Sequence, residues 1–344
     1  MEAKTGLRPG LNRRLFIKAG ATALALPAIA KHGFAQEKFV CKIAHTEGIG
    51  TPITNAFDAW AKVLNERSEG RIDAQHFPAA QLGGLAEALE GSRIGTIQVT
   101  TAGPDSEEAI APEIAAFGGA PGFIYKNEAH VDAVLQGELG QKCSDIAREK
   151  TGVEFVAYGE TGFRHILSKN PVASLDDLAG VKIRVPQLRI WVDFWELLGA
   201  APTPLPYSEQ YSALSTGIID AIDSDVFSIV GFKFNEQANN LTLTGHWFLP
   251  KAVRVNAAWL YSLPEDLRTM FRETAKEAFA EQRRVNRSMA SDTLEQLKGL
   301  GVNVQSLPAE ELAKMEEKTA KLYDDFGSKS PETAEMIKQI RALG

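Results

Sequence analysis

From residue 38 onward the chain switches repeatedly between two hydrophobic periods. "KFVCKIAHT" (38–46) predicts a strand and "EGIGTP" a glycine turn. Residues 53–67 then place Phe57, Trp60, Ala61 and Leu64 on one helical face. "SEGRIDAQHFP" predicts a second strand beyond a stop signal at Gly70, and "LGGLAEALEGSRIGTIQVTT" a helix running into a buried strand. Strand, helix, strand, helix, strand in succession is the signature of an α/β fold.

The same rhythm returns further on. "VEFVAYGETGFRHILS" predicts a strand, "SLDDLAGVKIRVP" a short capped helix feeding a strand, and "IWVDFWELLGA" an amphipathic helix. "APTPLPYSEQYSALSTGIIDAIDSDV" predicts a turn, a helix and a further strand. A long helix follows over 264–300, with Leu267, Phe271, Ala275, Ala278 and Phe279 at helical spacing, and 308–343 is helical with a charged outer face. One strand breaks its own pattern. In "KIRVPQ" and the residue before it, Val181, Ile183 and Val185 share one side and Arg184 takes the other, with Pro186 closing the strand.

The first 35 residues stand apart. Arg13, Arg14 and Lys18 precede an apolar stretch over 19–30, and Gly33 and Ala35 frame a cleavage point, which together predict an export signal. The adjacent arginines ahead of Phe16 match a twin-arginine leader read by the Tat exporter. The apolar stretch falls short of the ~20 residues that span a bilayer, so the expected product is a soluble periplasmic protein. Six of the 37 basic residues but one of the 44 acidic residues lie in that leader, leaving 31 basic against 43 acidic and a net charge of −12. That balance argues against nucleic acid as a partner, because affinity for it comes mostly from neutralised phosphates. An anionic ligand would need a local cluster of arginines. Cys41 and Cys143 match no metal or redox spacing and read as two buried small hydrophobes, although an oxidising compartment permits a bridge.

Catalytic signatures are sparse. The "GIGTPI" turn begins like a dinucleotide fingerprint but puts Ile53 where a third small residue belongs. There is no nucleophile elbow, phosphate loop or paired-histidine helix, and His45, His76, His130, His165 and His246 are scattered. What remains is charge in strands. Arg164 lies in "GETGFRHILSK", Arg184 follows 20 positions on, and "GIIDAIDSDV" brings Asp220, Asp223, Ser224 and Asp225. Each arginine is either half of a structural ion pair or a carboxylate anchor, since its planar fork donates two parallel hydrogen bonds.

Four blocks, "FPAAQLGGLAEALEGSRIGTIQVT", "GETGFRHILSKNPVASLDDLAGVKIRVPQ", "LGAAPTPLPYSEQYSALSTGIIDAID" and "LTLTGHWFLP", occur in order. With them the chain beyond its leader resembles the periplasmic solute receptors of TRAP transporters, the DctP-like group. The resemblance implies a two-domain α/β periplasmic binding protein fold, with hinge strands and one long helix spanning both domains. Residues 36–160 with 250–288 would form domain I, and 161–249 with 289–344 domain II, with the ligand in the cleft between them. In such receptors the arginine of "KIRVPQ", here Arg184, forms a bidentate pair with the ligand carboxylate, and that of "GFR", here Arg164, assists. Many sialic-acid and dicarboxylate receptors carry Asn at the position of Ser224, after a Glu. This chain has Asp223, Ser224 and Asp225, which moves the expected ligand from a plain C4-dicarboxylate toward a sugar acid or hydroxy acid. In oxo-acid and lactate branches an acid here helps hold a metal, which makes Asp223 the candidate metal ligand. Glu47 would meet the distal end of the ligand, with Gln187, Trp191, Tyr207 and Phe227 as further contacts. Trp247 is placed either to touch the ligand or to brace the hinge.

The expected function is therefore binding without chemistry and without a resident cofactor. A small organic acid is captured and passed to the TRAP membrane permease subunits. An exported Tat enzyme and a sensor of the same fold are the competing expectations.

Overall fold

The period-two segments assemble into one nine-stranded sheet. In the computed structural model, which describes residues 37–344, they are β1 (Phe39–Ala44), β2 (Ile72–Phe77), β3 (Val99–Ala102), β4 (Val153–Ser168) and β5 (Lys182–Val185), then β6 (Ala201–Pro204), β7 (Ala221–Ser224), β8 (Asn240–Asn256) and β9 (Asn303–Ser306). The expected export signal lies outside the described residues. Strand order is β2-β1-β3-β8-β4-β7-β5-β6, with β9 also on β8. β1 runs parallel to β2 and β3, and β5 parallel to β6 and β7. Each flank is thus built from crossovers, as the alternating periods predict.

β4 and β8 join the flanks. They are antiparallel to each other and span 16 and 17 residues. β3 pairs with 252–255 of β8, whereas β7 pairs with 165–168 at the opposite end of β4. Between those ends the ladder slips register from Glu160 to Phe163 and again from Arg164 to Ile166. Gly162 and Gly245 take positive φ there, 92° and 58°, which costs glycine least.

Helices cover both flanks. Pro52–Arg67 starts where the Thr51 hydroxyl accepts the Thr54 amide, and it buries Phe57, Trp60, Ala61 and Leu64 as its spacing predicts. The helix Glu265–Gly299 runs 35 residues, about 52 Å at 1.5 Å per residue. Its Leu267, Phe271, Ala275 and Phe279 pack with Phe57 and Trp60 on one flank, while Leu297 packs with Leu167 and Leu241 on the other. Two local expectations differ. The short helix before β5 is a single 3-10 turn, Leu175–Leu178, closed by a Ser174–Asp177 capping box. The C-terminal helical stretch is three helices, Ala309–Thr319, Lys321–Gly327 and Pro331–Ala342. Cys41 and Cys143 are buried free thiols. Among the described residues no helix is long and apolar enough to cross a membrane.

Candidate functional site

Strand alternation in β5 sends Ile183 and Val185 into the core and Arg184 to the opposite face. There Arg184 borders a cavity of about 400 Å³ lined from both flanks of the sheet, a size suited to a small ligand. Its Nε and Nη2 both donate to the Leu205 carbonyl, at 3.0 and 2.8 Å, and its guanidinium lies 5.4 Å from the Tyr207 ring centre. The side chain is 5 % exposed, yet it forms no ion pair with any described residue. Burial, with Arg164 adding its like charge, lowers its pKa to about 10.

Arg164 is held differently. The antiparallel pairing of β4 with β7 puts it beside Asp223, whose Oδ1 accepts from Arg164 Nε at 2.5 Å. The Asp223 backbone carbonyl takes Nη2. The other carboxylate oxygen of Asp223 meets His246 Nε2 at 3.2 Å. Burial alone would raise the Asp223 pKa, but Arg164 and His246 hold it down at about 2. Arg164 also lies 5.2 Å from the Trp191 ring centre, and the Trp191 indole N–H donates to Asp105 Oδ2 at 2.8 Å. Burial lifts Asp105 to about 6 despite that bond and the nearby Lys251 and Arg164.

The other flank supplies the opposite wall. Lys251 in β8 donates to Glu47 Oε1 at 2.8 Å, and both are buried. On the Arg184 flank, directly after β7, Asp225 caps the helix Val226–Gly231, accepting the Ser228 amide at 2.9 Å and its hydroxyl at 2.8 Å. Burial raises its pKa as well. The wall thus presents one guanidinium without a carboxylate partner, and buried acidic oxygens on Glu47, Asp105 and Asp225. Chemically it offers a bidentate donor to an anion and acceptors to hydroxyl groups.

Of the residues singled out in the sequence, Arg184, Arg164, Asp225, Glu47, Gln187, Trp191 and Tyr207 line this cavity. Asp223 stands behind Arg164, with one carboxylate oxygen accepting from Arg164 and the other facing His246. Ser224, Phe227 and Trp247 lie outside the wall. Ser224 is fully buried in β7, and Phe227 faces a second cavity of about 620 Å³. Trp247 stacks on Trp191 at 3.9 Å and donates its indole N–H to the Gly118 carbonyl, so it braces the wall from behind. Among the described residues no group of three or more His, Cys, Asp or Glu side chains is placed to hold a metal ion. Sequence reasoning missed Lys251 and Asp105. Lys251 carried the same signal as Arg184, a charge inside an apolar strand, and Asp105 lies in the short turn Pro104–Glu107 that follows β3.

Paired α/β flanks on shared long strands, with a cavity between them that carries buried charged side chains, are the architecture of a solute-binding protein. The family model described as bacterial extracellular solute-binding protein, family 7, matches residues 43–330, and the chain belongs to this family, the DctP-type receptors of TRAP transporters. It is 28% identical over 347 residues to the C4-dicarboxylate-binding periplasmic protein DctP of Rhodobacter capsulatus, covering 96% of this chain and 98% of that one. A solute-binding protein of Roseobacter denitrificans is 32% identical over 242 residues, 68% of this chain and 71% of that one. Among solved structures, the sugar acid binding protein DctPAm of Advenella mimigardefordensis, in complex with galactonate, aligns with a TM-score of 0.84 at 26% identity. That alignment covers 90% of this chain and 99% of the other.

Proposed function

We propose that this receptor captures a small organic acid, a sugar acid or hydroxy acid, and that Arg184 pairs bidentately with its carboxylate. The observation that carries the reading is Arg184 itself, a buried guanidinium that lines the cavity without an anionic partner. Stranding a buried charge costs about 3–5 kcal/mol, and a ligand carboxylate removes that cost. Arg164, held by Asp223, adds positive potential beside it. Glu47, Asp105 and Asp225 then accept from ligand hydroxyls, which favours one carboxylate and several hydroxyls over a plain dicarboxylate. The galactonate held by the Advenella receptor has that chemistry.

In this reading the protein is a binding protein and not an enzyme, exported through the Tat pathway to the periplasm, where it delivers its ligand to the TRAP permease. Residues 36–160 with 250–288 move against 161–249 with 289–344, and closure brings Arg184 and Glu47 to opposite sides of one ligand. A thermal-shift panel of sugar acids, hydroxy acids, oxo acids, dicarboxylates and amino acids tests it. Sugar or hydroxy acids should raise the unfolding temperature of the wild type but not of Arg184→Ala, with the ligand-free melt unchanged. Undiminished stabilisation of Arg184→Ala would remove the assignment.

A further inference from the structure

Behind Glu47 three side chains from three elements form one line of hydrogen bonds. Asp58 on the helix Pro52–Arg67 meets His76 Nδ1 at 2.6 Å. His76 in β2 meets His45 with Nε2 facing Nε2 at 2.7 Å. His45, just past β1, meets the Glu47 amide with its Nδ1 at 3.2 Å. Both ends of this line have fixed polarity. A backbone N–H can only donate, so His45 Nδ1 is the acceptor and its proton sits on Nε2. A carboxylate accepts, so His76 Nδ1 carries a proton and its Nε2 receives the one from His45. Two neutral imidazoles satisfy every link, and a third proton breaks one of them wherever it is placed.

The line ends at the cavity. Glu47 pairs with Lys251, the Glu47 carbonyl accepts the Ala79 amide at 3.1 Å, and the His45 carbonyl accepts the Ala80 amide at 3.0 Å. Ala79 and Ala80 also line the cavity. We propose that Asp58, His76 and His45 position Glu47 and the loop around it for ligand. The inference rests on the binding function proposed above. His45 is 1 % exposed, and the ionisable groups acting on it are His76, Lys251 and Asp58, with the Phe57 ring packed alongside. Burial, His76 and Lys251 oppose a proton on His45, and Asp58 favours one. These are positioning residues, since none of the three lines the cavity.

The test is titration calorimetry of the mature protein with galactonate, glucuronate and gulonate near neutral pH. For whichever acid binds, His76→Leu should bind about tenfold more weakly than the wild type, the loss expected for one buried hydrogen bond. Asp58→Ala, at an exposed position, leaves His76 free to take the other tautomer and should weaken binding about threefold. It carries the test should His76→Leu fail to fold. Wild-type affinity in either variant overturns the proposal. If no acid binds the wild type, the functional reading fails separately. Nitrogen-15 spectra of the ligand-free histidines then decide the positioning claim: protons on His45 Nε2 and His76 Nδ1 support it, and the reverse tautomers overturn it.

Discussion

Arg254 and Arg184 are both buried guanidiniums in strands of one sheet, and they are held in opposite ways. Arg254, in β8, is fully buried and donates to Glu107, whose other oxygen takes Arg93 at 2.7 Å. Arg93 in turn lies 3.7 Å from Glu90. Two cations meet two anions, so the cluster closes on itself. Arg184 reaches only the Leu205 carbonyl, and Asp223, the carboxylate nearest in chemistry, is spent on Arg164 and His246. The buried arginine with its counterion built into the chain is structural, and the one without a counterion is the residue proposed to meet a ligand carboxylate.

Exchanging the fates of the two residues is the strongest test of this contrast. Arg254→Ala leaves Glu107 buried with half its partners and should lower unfolding free energy by about 3–5 kcal/mol in urea titration. Arg184→Ala should leave that free energy unchanged or raised, yet cost ligand affinity about 2–5 kcal/mol by calorimetry. Comparable destabilisation by both substitutions would erase the distinction.

Arg164 lies between the extremes, being paired within the chain while facing the cavity. Asp223→Asn removes its counterion and should cost about 2–3 kcal/mol of stability together with some affinity. The sign with pH follows from the depressed Asp223 pKa of about 2 against 3.8. The stabilisation is present above pH 3.8 and lost as pH falls toward 2, so the wild type and Asp223→Asn should converge in acid. A constant difference down to about pH 2 would show that Asp223 acts by shape and not by charge.

The same contrast explains what could be read from the residues alone. Arg184 was legible because "KIRV" alternates so cleanly that a charge on the free side had to face something polar. β4 was legible because "VEFVAYGETGFRHILS" stays apolar enough to be buried along its length. The fully paired state of Asp223 was not legible, because it depends on β4 and β7 lying side by side, a contact across 59 positions. The side on which Phe227 falls, facing the second cavity, was not legible because Val226–Gly231 is only six residues long, too short for its period to fix a face. Lys251 was hidden by Pro250 and Gly245, which mark a loop in most sequences but here sit inside a 17-residue strand.

Histidines supply a third way to bury an ionisable group, neither paired nor awaiting a ligand but kept neutral. Burial first, then a neighbouring imidazole, lowers His45 and His165 to about 3 from 6.5. The unfolded chain binds more protons between those values, so stability is full above pH 6.5 and falls as pH drops through the window. Asp105, raised to about 6 from 3.8, runs the other way, since its folded form holds a proton that the unfolded form releases. Two imidazoles against Asp105 alone leave a net loss on the order of 2 kcal/mol between about pH 6.5 and about pH 5, which the raised carboxyls of Asp225 and Glu160 reduce, read by urea unfolding at both values. Equal or greater stability at the lower pH would mean that the imidazoles are protonated where they lie.

The smallest effect is expected from a chelator. A metal bridging the ligand needs a carboxylate with a free oxygen, and Asp223, the candidate by resemblance, has given one oxygen to Arg164 and faces His246 with the other. Dialysis against a chelator should therefore leave ligand affinity unchanged, because in the proposed binding mode the positive charge that meets the carboxylate is the guanidinium of Arg184. Weakened binding, restored by adding back a divalent cation, would show instead that the anion is shared between Arg184 and a metal. Asp223 would then have to release His246 or Arg164 as the ligand enters.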